Sequence, residues 1–333
     1  MMASSRTFDA QAVTLALNNA TTAAGHAPSI DHAPPWRWRR HGDQLELWIQ
    51  DGRTLAATAP TRQLSILSCG AALHHAFISL AADGWHSIVT RLPNAARPGH
   101  LATVRVDARI PIEPAATRRL QTIGLRHTDR RPMAGTPVDA DTLRSIAAAA
   151  ESRGTRLHLL RPRQIFDLAA ATDHAQHVEA DDPAAQKEST NWVGGFRTLG
   201  TGTPTTLPRR ASPGTAPRRD FGPGDTDIAD TRNRAAVFAV LYGAGEGDLD
   251  WLRAGESLSA VWLTATELAI SVRPLSATIE VPDTRETIRR LLPGPGHPYL
   301  VLRFGALNPD AVKPPLTQRL PVERTVGPRR GAS

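Results

Sequence analysis

Apolar and polar positions change period along the chain, and the changes mark out its elements. Residues 9–24 set Val13, Leu15 and Leu17 among alanines, a helical stretch with Asp9 placed to cap it. Gly25 to Pro35 is a proline-rich turn. Trp36-Arg37-Trp38-Arg39 and Leu45-Leu47-Ile49 then alternate with period two on either side of His41-Gly42-Asp43, which predicts a hairpin with tryptophans inward and arginines outward. From Leu64 to Ala82 the period returns to that of a helix, with Leu67, Gly70, Leu73, Phe77 and Leu80 on or near one face. Strands over Trp85–Val89 and Leu101–Val106 follow.

The second half repeats the plan. The pattern predicts a helix over 139–151, a strand over 156–160, a helix over Gln164–Ala180, a buried strand over Ala235–Leu241, a helix over Leu249–Ile270 and a closing strand over Tyr299–Phe304. Between them, Gly200 to Asp227 carries Pro204, Pro208, Pro213, Pro217 and Pro223, too long and irregular for a connector in a compact core, and reads as a mobile loop or lid. Laying Gly70 on Gly255 brings Leu73 onto Leu258, Phe77 onto Trp262, Ala81 onto Thr266 and Gly84 onto Ala269. This predicts an α+β fold of two diverged repeats in one chain, residues 1–115 and 116–333.

Composition adds limits. The net charge of +7 is almost entirely arginine, since Lys187 and Lys313 are the only lysines, as in a chain from a GC-rich genome; it is weak support for a nucleic-acid partner. Cys69 stands alone, so no internal disulfide forms and a cytoplasmic home is expected. No apolar run is expected to reach the roughly 18 residues of a membrane span, and the first residues lead into a polar helix rather than a signal-peptide core.

Several clusters invite chemistry. In Arg126-His127-Thr128-Asp129-Arg130-Arg131-Pro132 the residues Arg126, Thr128 and Arg130 alternate, so an extended turn would aim two guanidinium forks and a hydroxyl one way, a set that suits a phosphate monoester. The same residues also make an ordinary solvated basic loop, and the motif alone does not choose. Gly243 to Gly247 lacks the lysine of a P-loop and the spacing of a dinucleotide fingerprint, and reads as a strand-to-helix turn capped by Asp248. His174 and His177, beside Asp173 and Glu179, read as a solvated helix face rather than metal ligands. Ser65, Ser68 and Cys69 form no nucleophile elbow, and Cys69 reads as a buried thiol opening a core helix.

Taken together and in order, Ala27-Pro28-Ser29 with Pro35-Trp36, Ser68 to Leu73, Arg126 to Arg130, Trp192-Val193-Gly194-Gly195, Ala254-Gly255-Glu256 and Pro274-Leu275-Ser276 resemble the Acg-type branch of the nitroreductase superfamily, from about residue 9 to 325. Nitroreductases are homodimers with FMN at the subunit interface, and the resemblance implies two such subunits fused, the fused pair standing alone or dimerising. It implies that Arg126, Thr128 and Arg130, with Arg319, hold the FMN phosphate and ribityl chain. It also implies that Pro28 and Ser29 line the flavin from the other half, and that the backbone of Pro274, Leu275 and Ser276 runs near the flavin N5 edge. His32 and Pro34 stand where the family has Asn and Gln; His keeps part of the hydrogen bonding, whereas Pro donates nothing. The 200–227 stretch corresponds to the family's flavin-covering loop.

The function implied is an FMN-dependent oxidoreductase passing a hydride from NAD(P)H through flavin to a small-molecule acceptor. No catalytic side chain is identified, and no metal, nucleic acid or membrane is involved. The alternative is a flavin-sequestering or sensor protein with an occluded site.

Overall fold

The computed structural model describes residues 9–29, 34–50, 59–129, 133, 135–181, 228, 234–306 and 325–327. The expected loop at 200–227 lies outside them, as do His32, Arg130, Arg319 and Trp192 to Gly195. The fold is α+β. Helix α1 (Ala10–Ala24) starts where Asp9 accepts from the Gln11 N–H, the expected cap. Strands β1 (Trp36–His41) and β2 (Gln44–Ile49) form the expected hairpin, turned at Gly42, whose φ of 53° favours glycine. Trp36 and Trp38 are fully buried, while Arg37 and Arg39 lie at the partly exposed positions between them.

Helix α2 (Ala59–Ala82) starts earlier than expected, so Cys69 lies in its middle, fully buried, and does not open it. By length and composition Thr61–Ala82 passes for a membrane span, with a mean hydropathy of 1.5, contrary to the expectation that no run would; yet 83% of that window is buried inside the fold. A helix that is apolar nearly all round is a core helix when protein surrounds it. Strands β3 (Trp85–Arg91) and β4 (His100–Arg109) complete an antiparallel sheet of order β1-β2-β4-β3.

Then come α3 (Pro114–Leu125), which the sequence pattern did not suggest, α4 (Ala140–Glu151) capped by Asp139, β5 (Arg156–Leu159) and α5 (Pro162–Asp181). Strand β6 (Val237–Gly243) leads to α6 (Asp248–Glu267). The cap of α6 is Gly247, whose N–H donates to the Asp250 carboxylate at 3.0 Å; Asp248, expected as the cap, instead takes a bidentate pair from Arg62. After β7 (Ile270–Leu275), two short helices α7 (Ala277–Glu280) and α8 (Pro282–Arg290), also unexpected, precede β8 (His297–Ala306). The second sheet has the order β5-β6-β8-β7, which matches the first strand for strand.

The match extends to irregular features. Leu47 pairs with Ala102 and Trp48 with His100, leaving Leu101 as a bulge; Leu241 pairs with Leu300 and Tyr242 with Pro298, leaving Tyr299 as its counterpart. Gly84 and Ala269, paired by the sequence repeat, both have positive φ, 75° and 56°, at the turn from central helix to strand. The two central helices, α2 and α6, pack on each other through Gly70 and Gly255. A Cβ on Gly70 would overlap the Leu252 carbonyl, and one on Gly255 the Leu67 carbonyl, three residues before the other glycine in each case. Such reciprocity is that of a two-fold interface. One turn on, His74 and Ser259, again repeat partners (74 + 185 = 259), meet at 2.7 Å.

Alanine at either crossing glycine gains up to about 1 kcal/mol of helix propensity. It also drives a methyl into backbone, and the resulting overpacking costs about 3 kcal/mol. Gly70→Ala and Gly255→Ala are therefore expected to lower the urea midpoint, and an unchanged midpoint would exclude the close crossing. His74 is fully buried, and burial first, then Arg153, His75 and Arg119, hold its pKa well below its usual 6.5. The unfolded chain thus takes up a proton that the folded chain refuses. This contribution is complete above about pH 6.5 and declines as the pH falls below it, by about 1.4 kcal/mol per pH unit. Urea titrations from about pH 7.5 to 5.5 should show a steeper loss in the wild type than in His74→Gln; parallel curves would assign the loss elsewhere.

Candidate functional site

Helix α3 ends because the backbone turns extended at Arg126, φ −63° and ψ 126°, with its N–H still bonded to the Thr122 carbonyl. The chain runs on as an extended segment along the outer edge of the second sheet, where Thr128 makes a parallel bridge to Val272 of β7. Arg303 of β8, 4% exposed, donates from Nη2 to the Asp129 carbonyl at 2.9 Å, and Met133 packs on Gly305. Burial lowers the pKa of Arg303, and the nearby Asp129 opposes that shift. The segment is therefore held at Thr128, Asp129 and Met133, and is not a free basic loop.

Arg126 is only 5% exposed. Its Nη2 donates to the His26 carbonyl at 2.8 Å, and its Cζ sits 4.6 Å from the centroid of the Trp262 ring on α6. The guanidinium thus links the segment after α3 to the loop after α1, which carries Pro28 and Ser29. Both of these are half-buried, and the Ser29 Oγ is buried with no hydrogen-bond partner among the described residues. Pro274, Leu275 and Ser276, half-buried at the end of β7, lie within four residues of the Val272 bridge. Pro274 pairs with Leu302, and a proline suits an edge strand because it has no N–H to present outward.

Two contacts bring the predicted segments near one another: Arg126 bonds the His26 carbonyl, two residues before Pro28, and Thr128 bridges Val272, two residues before Pro274. Pro34 is buried at the entry to β1. A hydroxyl donor without a partner, a threonine and an extended backbone with further arginine nearby are the groups that a polar, phosphate-bearing ligand would engage. His174 and His177 lie on α5, exposed, with His177 Nδ1 2.6 Å from the Asp173 carbonyl.

Sequence reasoning missed the partners of Arg126, since neither Trp262 nor the His26 carbonyl is signalled by spacing. It also missed Glu256, a carboxylate 2% exposed on α6, gripped by Arg91 of β3 through Nε and Nη2 at 2.6 Å each. A signal was available, because a glutamate inside an otherwise apolar helix requires a partner.

No protein-family model matches the chain. A Mycobacterium tuberculosis protein named as an NAD(P)H nitroreductase is 33% identical over 306 residues, 88% of this chain and 86% of the relative. A second protein from the same organism, named as the NAD(P)H nitroreductase acg, is 29% identical over 95% of this chain and 96% of its own length. Among solved structures, nitroreductases with bound FMN from Desulfitobacterium hafniense and Bacteroides fragilis align at 14% identity each. They cover 64% and 60% of this chain, and 98% and 93% of theirs, with TM-scores of 0.41 and 0.38.

Removing the Arg126 guanidinium leaves the His26 carbonyl without its donor and strips Trp262 of its cover. Arg126→Ala is expected to cost about 2 kcal/mol, the scale of a charged hydrogen bond. Denaturant unfolding checks it, and wild-type stability in the variant would show that the contact ties nothing.

Proposed function

The chain belongs to the nitroreductase superfamily, in its Acg-type branch, and from that premise we propose that it is an FMN-binding oxidoreductase that draws electrons from NAD(P)H and delivers them to a small-molecule acceptor. The single observation supporting a bound ligand is the Ser29 hydroxyl, buried and unpartnered among the described residues, in the loop that Arg126 clamps across the two halves. The residues present fit FMN. Thr128 and Arg130, with Arg126 and Arg319, would hold the phosphate and ribityl chain. Pro28, Ser29 and His32 would line the ring from the first half, and Pro274, Leu275 and Ser276 would run along its other edge. Bound there, FMN supplies the two-electron redox chemistry that no side chain of the protein can.

The protein's own contributions are positional. Arg303 fixes the Asp129 carbonyl, which holds the backbone beside Thr128 in place before a ligand arrives. Trp262 and Arg126 close the inner wall and exclude water from it. In this reading the two halves play the parts of the two subunits of a nitroreductase homodimer, 1–115 supplying the lining loop and 116–333 the phosphate end. No proton donor is assigned, since hydride transfer needs none at a fixed side chain.

The test is optical. Protein purified from an FMN-supplemented preparation is expected to be yellow, and anaerobic NADPH or NADH is expected to bleach it. Colourless protein that leaves FMN fluorescence unquenched would overturn the proposal, and colour without bleaching would support a flavin store instead. Arg130→Ala is expected to weaken FMN binding by one to two orders of magnitude, since a charge-assisted contact is worth roughly 1.5–3 kcal/mol. Thr128→Val should act in the same direction but less. Unchanged affinity in Arg130→Ala would move the phosphate elsewhere.

A further inference from the structure

The internal repeat relates the Ser29 site to a second position, and that position is built from different chemistry. The offset of 185 that superposes the central helices carries Trp262 onto Phe77, Glu256 onto Ala71 and Ala269 onto Gly84. Strands β3 and β7 begin at Trp85 and Ile270, at the same offset, so Pro274-Leu275-Ser276 falls on Val89-Thr90-Arg91 (274 − 185 = 89). Helix α4 packs on α6 as α1 packs on α2, so the loop after α4, with Arg153, is the counterpart of the loop after α1, with Ser29. Even the guanidinium-on-ring contact is doubled: Arg126 lies over Trp262 at 4.6 Å, and Arg153 over Phe77 at 5.2 Å. Where the first site has Ser276 and Ala71, the second has Arg91 and Glu256, with Arg153 in the loop after α4.

The charges at the second position do not balance. Arg91 and Glu256 neutralise each other through two hydrogen bonds of 2.6 Å. Further out, Arg119 is paired with Glu267 at 3.1 Å. Arg153 remains. Its Nε is buried with no hydrogen-bond partner among the described residues, and its Cζ lies 5.2 Å from the centroid of the Phe77 ring. Burial lowers its pKa, Arg91 and Arg119 push the same way, and only Glu256 opposes them. A half-buried cation whose Nε has no hydrogen-bond partner among the described residues is costly, and an anion supplied from solution would offset part of that cost.

We propose that Arg153, over Phe77 and flanked by the Arg91–Glu256 pair, is a second ligand site that binds one small oxyanion, a carboxylate or phosphate group. The guanidinium fork offers paired donors to two oxygens of such a group. Arg91 and Glu256 stand where the other position has the smaller Ser276 and Ala71, which favours a small ligand. The proposal stands whether or not the Ser29 site holds flavin.

Calorimetric titration of the purified full chain with sodium phosphate, and separately with sodium acetate, tests it, with ionic strength held constant by sodium chloride. Saturable binding of one anion per chain is expected, and the stronger of the two titrants identifies the group. Arg153→Gln should weaken it about tenfold or more, and Arg153→Lys, which keeps the charge but loses the fork, should fall between. Without added anion Arg153→Gln is expected to melt no lower than the wild type, because it removes an uncompensated charge. Its flavin content per chain should equal that of the wild type, which separates this site from the first. No saturable binding of either anion, or equal binding by wild type and Arg153→Gln, would overturn the proposal.

Discussion

The close crossing of α2 and α6 at Gly70 and Gly255 is the constraint on which the rest of the molecule depends. Two helices can bring their backbones this near only if neither carries a side chain at the contact. The gain is that Leu67, Leu252, Trp262 and their neighbours bury against both halves at once. The reciprocal pattern, each glycine against the carbonyl three residues before the other, places an approximate two-fold axis through the crossing. The His74–Ser259 contact lies one turn along it. Several features occur twice about that axis, among them the strand order, the bulges at Leu101 and Tyr299 and the left-handed turns at Gly84 and Ala269.

The two halves also exchange chain. Residues 325–327, which follow the second half, run beside β1 of the first, where Trp38 donates to the Thr325 carbonyl at 2.8 Å and accepts from the Gly327 N–H at 2.7 Å. That contact satisfies backbone groups that would otherwise stand open on a sheet edge. The segment after α3 does the same for β7, and its Arg126 reaches back to His26. These contacts tie residues 325–327 to β1 and Arg126 to the loop after α1. Such ties are what a ligand site needs if its donors are to be positioned before the ligand arrives.

A fused pair is free to do what a homodimer is not, namely to change one of its two equivalent positions alone. Beside Ser29, the positions of Ser276 and Ala71 are small and neutral. Their counterparts beside Arg153 are Arg91 and Glu256, a buried ion pair, and the Arg153 Nε has no hydrogen-bond partner among the described residues. In a symmetric dimer a substitution such as Ala71 to its counterpart Glu256 would appear at both positions. Here each half has its own residue, and the chemistry has diverged.

Much of this was legible in the residues themselves. Alternation buried Trp36, Trp38, Leu45 and Leu47 as expected, Asp9 capped its helix, and the offset from Gly70 to Gly255 matched two helices along the chain alone. Those signals are local, because period and turn chemistry act over a few residues, and a repeat needs only comparison along the chain. Tertiary structure decided what local signals cannot carry. It brought Gly70 against Gly255, turned Arg126 inward onto Trp262, and joined Arg91 to a glutamate 165 residues away. The sequence marks Glu256 as a charge in need of a partner. Only tertiary structure determines that the partner is Arg91, and that the Arg153 Nε finds none among the described residues, because no spacing in the chain encodes which distant side chains the fold brings together.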